Sequence, residues 1–252
     1  MRIDLNCDLG ESFGAYTLGL DAEVIPFITS ANIACGWHAG DALVMEATVK
    51  ACKAAGVSVG AHPGFPDLAG FGRRNLDASP KEVKAYIQYQ VGALWAFCKA
   101  QDVPLAHVKP HGALYNMAAK NDSLARAVCE GIAEIDSDLI LLALSGSKMI
   151  EAAEAMGLPF AREVFADRAY EEDGSLVARN KPGAMITDEA LAIARVVGMV
   201  KTGTVEAVTG KTIPLRPESV CVHGDSVHAL AFVQKIRKAL EENGVTVAAM
   251  GQ

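Results

Sequence analysis

Polar and titratable side chains recur at spacing two inside runs that are otherwise apolar. In the first run Asp4, Asn6 and Asp8 alternate with Ile3, Leu5, Cys7 and Leu9. Alternate residues of a strand share a face, so one face of this segment carries carboxylates and an amide. The same arithmetic puts Asn32 and His38 on one face. It groups His107, Lys109 and His111 within HVKPH, and Cys221, His223 and Asp225 within CVHGD. A single polar stripe reads as a solvated edge. Four of them, in strands that should be apolar on both faces if parallel and buried, are expected to meet inside a barrel. The polarity also gathers at the C-terminal ends of the runs: Asp8, His38, His62, His111, Arg168, His223 and Asp225. That is the end where α/β barrels place their sites. One histidine there is readily structural, but four at homologous ends point to a shared site for proton transfer or metal binding. His107 begins its run and reads as structural, and His228 as an exposed residue in the first turn of a helix.

Other groups suit anions. Arg73 and Arg74 follow Gly70-Phe71-Gly72 in a loop, as surface charge or as a clamp for a carboxylate or phosphate. Asp225-Ser226 opens the last helix, whose free amides are a further anion site, although capping alone accounts for both residues.

Seven β-like runs must position these groups: 2–9, 28–36, 58–64, 106–112, 138–144, 159–165 and 219–225. Amphipathic helical stretches lie between most of them, at 41–55, 79–100, 122–135, 147–156, 188–200 and 225–243. The segment SPKE at 79–82 carries an N-cap serine, a proline at N1 and a glutamate closing a capping box. Strand–helix alternation implies parallel strands with right-handed crossovers. The expectation is α/β: one domain spanning 1–252, a seven-stranded (β/α) barrel, with a hairpin inserted at 201–215. VEAVTGKT resembles a phosphate loop, but Val205 stands where the first glycine belongs. GFGRRN misses the last glycine of a dinucleotide fingerprint, and Ser145-Gly146-Ser147 is no nucleophile elbow.

Composition sets outer limits. The chain has 252 residues, 51% hydrophobic and 21% charged, with a net charge of -7. This excludes disorder, and the acid excess and few aromatics argue against nucleic acid as a partner. Six scattered cysteines without a C-x-x-C pair form neither a zinc knuckle nor a disulfide framework. With no signal core and no long apolar span, the expectation is a reduced, cytoplasmic protein with no membrane partner.

DLNCDLGESFG, SANIACGWHAGD, VGAHPGFPD, GFGRR, HVKPHGALYN, EVFADRAY and CVHGD resemble, in order and over nearly the whole chain, the LamB/YcsF family. The departures are slight: Trp37 where phenylalanine is usual and Gly64 where serine is frequent. The resemblance implies a distorted, TIM-like seven-stranded β/α barrel, similar to the deacetylases and some glycoside hydrolases. It implies the A-subunit role in an ATP-dependent 5-oxoprolinase, which opens 5-oxo-L-proline (pyroglutamate) to L-glutamate together with subunits B and C. ATP is then a co-substrate, and which of the three subunits binds it is left open.

On that reading Asp8, His38, His62, Lys109, His111, His223 and Asp225 are the catalytic candidates. Asn6, Asn32, Asp41, Arg73, Arg74 and Arg168 are the substrate-binding ones. Lys109 and Arg168 would cradle phosphate or carboxylate, and Asn6 and Asn32 would hydrogen-bond the lactam. His223 with Asp225, or His38 with Asp8, would supply a base. Two alternatives stay open: a metal-dependent deacetylase-like hydrolase using Asp8, His38 and His62, and a non-catalytic subunit that binds 5-oxoproline.

Overall fold

The computed structural model describes residues 1–223 and 229–251. Asp225 and His228 lie outside the described residues, as does the side chain of His223. Seven parallel strands form a closed barrel: β1 (Arg2–Leu9), β2 (Ser30–Ala34), β3 (Ser58–His62), β4 (Leu105–Val108), β5 (Ile140–Leu144), β6 (Phe160–Phe165) and β7 (Ser219–His223). Consecutive strands pair in order through β6, and β7 closes the sheet between β6 and β1. The closure is shared. Arg2 and Ile3 pair with a short strand at Thr246–Val247, and from Asp4 onward β1 pairs with β7.

The helices around the barrel follow their capping signals. α1 (Ala42–Ala55) starts at Asp41, whose carboxylate accepts from the Leu43 and Val44 amides, and ends at Gly56 in the left-handed conformation. α2 (Pro80–Ala100) has the expected capping box between Ser79 and Glu82. α3 (Gly112–Ala118), α4 (Asp122–Ala133), α5 (Lys148–Met156), α6 (Glu189–Thr202) and α7 (Ala229–Glu242) follow, and a single helical turn at Asp21–Val24 precedes β2. The phosphate-loop look-alike is an antiparallel hairpin of Thr204–Glu206 with Thr212–Pro214. It starts later than the sequence suggested, because α6 runs through Thr202 before Gly203 stops it. No helix among the described residues is long and apolar enough to cross a membrane. All six cysteines are free and buried.

The first strand shows why the sequence pattern arose. Ile3, Leu5, Cys7 and Leu9 are at most 1% exposed, yet Asp4 and Asn6 are equally buried. The strand is covered on both faces, and its polar face fills the barrel interior. Buried polar groups are stabilised by bonding to one another, and here all but His107 Nδ1 do so. At the bottom, Thr29, Ser30 and Ser219 hydroxyls all donate to the Asp4 carboxylate. Above it, Asn6 Nδ2 donates to Ser219 Oγ at 2.6 Å, while Asn6 Oδ1 accepts from Asn32 Nδ2 at 2.8 Å. Asn32 Nδ2 also reaches Asp8 Oδ1 at 2.8 Å, and His107 Nε2 donates to Asn32 Oδ1 at 2.7 Å. The column therefore has a fixed direction from imidazole to carboxylate. Its width is set at Gly60, where a Cβ would stand 2.1 Å from His107 Nε2.

Candidate active site

The strand ends and the loops after them bring Asp8, Glu11, His38, His62, Lys109 and His111 together at the C-terminal mouth of the barrel. Each arrives by a different local device. Asp8 is still in β1, but Glu11 follows Gly10, whose φ of +67° turns the chain back over the mouth. His62 ends β3. His38 was expected on the strand face with Asn32; β2 instead stops at Ala34, and Gly36 and Gly40 at φ +96° and +78° loop His38 inward. HVKPH was expected as one strand; β4 stops at Val108 before Pro110, and His111 is the N-cap residue of α3. The three side chains still face the interior, because the Lys109 and His111 amides stay bonded to the carbonyls of Ala61 and Pro63.

Lys109 Nζ lies 2.8 Å from both Asp8 Oδ1 and Glu163 Oε1, with Cys221 Sγ at 3.2 Å and Asn6 Oδ1 at 3.3 Å. Burial alone would lower its pKa, but Asp8, Cys221 and Glu163 together hold it well above the ordinary lysine value. Its charge is balanced inside the barrel and fixes Asp8 rather than standing open to an anion. Tyr115 donates to Glu163 at 2.7 Å and secures the second carboxylate.

The imidazoles form a second tier. His62 Nδ1 donates to the Lys109 carbonyl at 2.7 Å, and His111 Nε2 to the Phe71 carbonyl at 2.8 Å. A carbonyl only accepts, so these bonds place a hydrogen on His62 Nδ1 and on His111 Nε2. His62 Nε2 and His111 Nδ1 are left facing each other at 3.0 Å. The His38 ring stacks on His111, centroids 3.7 Å apart and planes 1° from parallel. His38 Nε2 meets Glu11 Oε1 at 3.3 Å, and its Nδ1 is buried without a partner. The carboxylate beside His38 is thus Glu11 and not Asp8; Asp8 Oδ2 pairs with His62 Nε2, at 3.3 Å. Burial, then the neighbouring rings, keep His38 and His111 well below the usual imidazole range, while burial raises Glu11. Three imidazoles and the Glu11 carboxylate could share a metal ion, their donor atoms all lying within 4.8 Å of one another.

Asp8, Glu11, His62, Lys109 and His111 border a cavity of about 870 Å³ that Arg73, Arg74, Arg168 and Arg179 also line. Arg168 is 4% exposed. One of its terminal nitrogens donates to the Val177 carbonyl at 2.6 Å, and its Nε is buried without a partner. Burial and then Arg179 bring its pKa down to about 10, against the opposing pull of Asp167. Arg73 lies over the Phe71 ring. Arg74 is bonded to Asp67 and braces the loop before it.

Three substrate-binding candidates sit elsewhere: Asn6 and Asn32 inside the column, and Asp41 as the cap of α1, where it also accepts from the Gly14 amide. Reading by spacing missed Glu11, Glu163 and Tyr115. The signal for Glu11 was the glycine before it, a turn placed directly after a strand end.

The matched sequences and structures agree with this architecture. A protein of Clostridium beijerinckii named as the A subunit of 5-oxoprolinase is 66% identical, over 98% of this chain and 96% of its own length. A Pyrococcus abyssi protein of the same name is 60% identical, over 98% and 97%. The crystal structure of a lactam utilization protein from Thermus thermophilus superposes with a TM-score of 0.94 at 46% identity, covering 99% of this chain and all of the other. A family 4 carbohydrate esterase from Streptomyces lividans reaches a TM-score of 0.52 at 10% identity, over 99% and 93%, and shares the fold alone. The LamB/YcsF family profile matches residues 3–252, and the chain belongs to that family.

Proposed function

We propose that the chain is the A subunit of an ATP-dependent 5-oxoprolinase, opening the lactam of 5-oxo-L-proline to L-glutamate as ATP becomes ADP and phosphate. The names of its relatives and of the Thermus structure support the reaction class. The observation that carries the chemistry is the cavity that joins carboxylates and imidazoles to a set of arginines.

A lactam nitrogen is a poor leaving group. Phosphorylating the lactam oxygen makes C5 electrophilic and adds negative charge. Water adds at C5 and gives up a proton, the ring nitrogen gains one, and the C–N bond breaks to leave an acyl phosphate. A second water releases phosphate and yields glutamate. Asp8 is suited to accept the proton: it borders the cavity, and Lys109 and Asn32 hold Oδ1. Arg168, with Arg73 and Arg179, suits the substrate carboxylate and the phosphoryl group. The phosphate-loop look-alike of this chain is a hairpin and supplies no nucleotide loop.

The test is glutamate and ADP release from 5-oxoproline by the reconstituted three-subunit complex. Both should require this chain, and Asp8→Asn should cut glutamate release by about 10²-fold or more. Glutamate formation without the chain, or at an undiminished rate with folded Asp8→Asn, would overturn the assignment.

A further inference from the structure

We propose that Glu11, His38, His62 and His111 bind one divalent transition-metal ion at the mouth of the barrel. Two independent features of the geometry lead there. The first is spacing. Glu11 Oε1 lies 3.3 Å from His38 Nε2 and 3.7 Å from His111 Nδ1, which lies 3.0 Å from His62 Nε2. Four donors around a tetrahedral zinc at bonds of about 2.0–2.1 Å stand about 3.3–3.4 Å apart. These three separations are close to that size, and all four donors lie within 4.8 Å of one another.

The second is orientation. Backbone carbonyls take the far N–H of His62 and of His111, and so turn the other nitrogen of each ring toward the same space, 3.0 Å apart. An ion held there would bond both rings. Fixing a ligand imidazole through its other nitrogen is the usual support for a bound metal.

The donor set selects the ion class. Three imidazoles and one carboxylate favour zinc, cobalt, nickel, copper or iron over magnesium and calcium, which prefer all-oxygen shells. Glu11, His62 and His111 also line the cavity, which leaves an open side toward substrate. A bound ion would supply Lewis-acid polarisation of an oxygen in that cavity. The imidazole lone pairs would then be committed to the ion, and Asp8, with Oδ2 3.3 Å from His62 Nε2, would remain as the proton acceptor.

Metal uptake is measured on the full chain alone, so its outcome is independent of whether 5-oxoproline is the substrate. Chelator-stripped protein is titrated with cobalt(II) and read by visible absorption and by elemental analysis after gel filtration. The expected result is one cobalt per chain with the d–d bands of a low-coordinate nitrogen–oxygen site, displaced by zinc. Glu11→Gln and His111→Gln should each weaken binding by at least about 10–100-fold. Should either variant fail to fold by circular dichroism, X-ray absorption of the zinc-loaded parent chain decides, with scattering from three imidazoles expected. Failure to take up either ion stoichiometrically, affinity unchanged in both folded variants, or fewer than two imidazoles in the zinc shell would overturn the proposal.

Discussion

Lys109 Nζ and Asp8 Oδ1 are 2.8 Å apart inside the barrel, with Lys109 only 2% exposed. Removing one partner of a buried ion pair strands the other charge, which typically costs about 3–5 kcal/mol. Lys109→Met leaves both Asp8 and Glu163 without their cation. Its unfolding free energy in urea should fall by an amount in that range. A loss below about 1 kcal/mol would mean that the amine is not what holds these carboxylates.

The polar column below that pair sets a second expectation. Gly60 lies against the His107 ring, and a methyl there would overlap its atoms at 2.1–2.3 Å. His107 is fully buried and bonded to Asn32, so the ring has nowhere to retreat. Gly60→Ala should cost about 1–3 kcal/mol or more through overpacking. The same substitution in a His107→Ala background should cost much less, because the clashing ring is gone. Equal costs in the two backgrounds would show that the strain lies elsewhere.

These two cases also show what the sequence made legible. Period-two alternation identified β1 at its observed bounds and placed Asp4, Asn6 and Asp8 on one face. What alternation does not carry is depth: Asn6 and Asn32 look like ligand contacts but are sealed in the column. Residues beyond a strand end obey no period, so His38 and His111 had the right destination but the wrong local structure. Glu11 was missed for the same reason, since it enters through a glycine turn. Glu163 sits mid-strand, and the Lys109 amine and Tyr115 hydroxyl, both distant in sequence, account for its burial. The short helix α3 follows Pro110 with almost no polar face, because Ala113, Leu114, Tyr115 and Ala118 are all buried, and an amphipathic pattern could not reveal it.

Arg168 should act on substrate affinity. It lines the cavity, where its guanidinium would bond a carboxylate or phosphoryl oxygen. A hydrogen bond between charged groups contributes about 1.5–3 kcal/mol, or about 10–100-fold in affinity. Arg168→Met should raise the KM for 5-oxoproline in the full complex by that factor, and Arg168→Lys by less. The lysine keeps charge but loses the fork. An unchanged KM in folded Arg168→Met would remove this residue from the binding site.

Asp21 gives a pH signature in stability. Burial raises its pKa to about 6, although its carboxylate accepts from the Gly10 amide at 2.8 Å. In the unfolded chain the group titrates near 3.9. Between these values the folded state binds the proton and the unfolded state does not, so this group favours folding as pH falls from about 6 toward 4. Above pH 6 the folded chain carries the buried charge at a cost. Asp21→Asn keeps an oxygen for Gly10 and removes the charge. Its melting temperature should exceed the parent's at pH 8, and the two should converge near pH 4. A constant offset across that range would show that the substitution acts through packing and not through the ionised carboxylate.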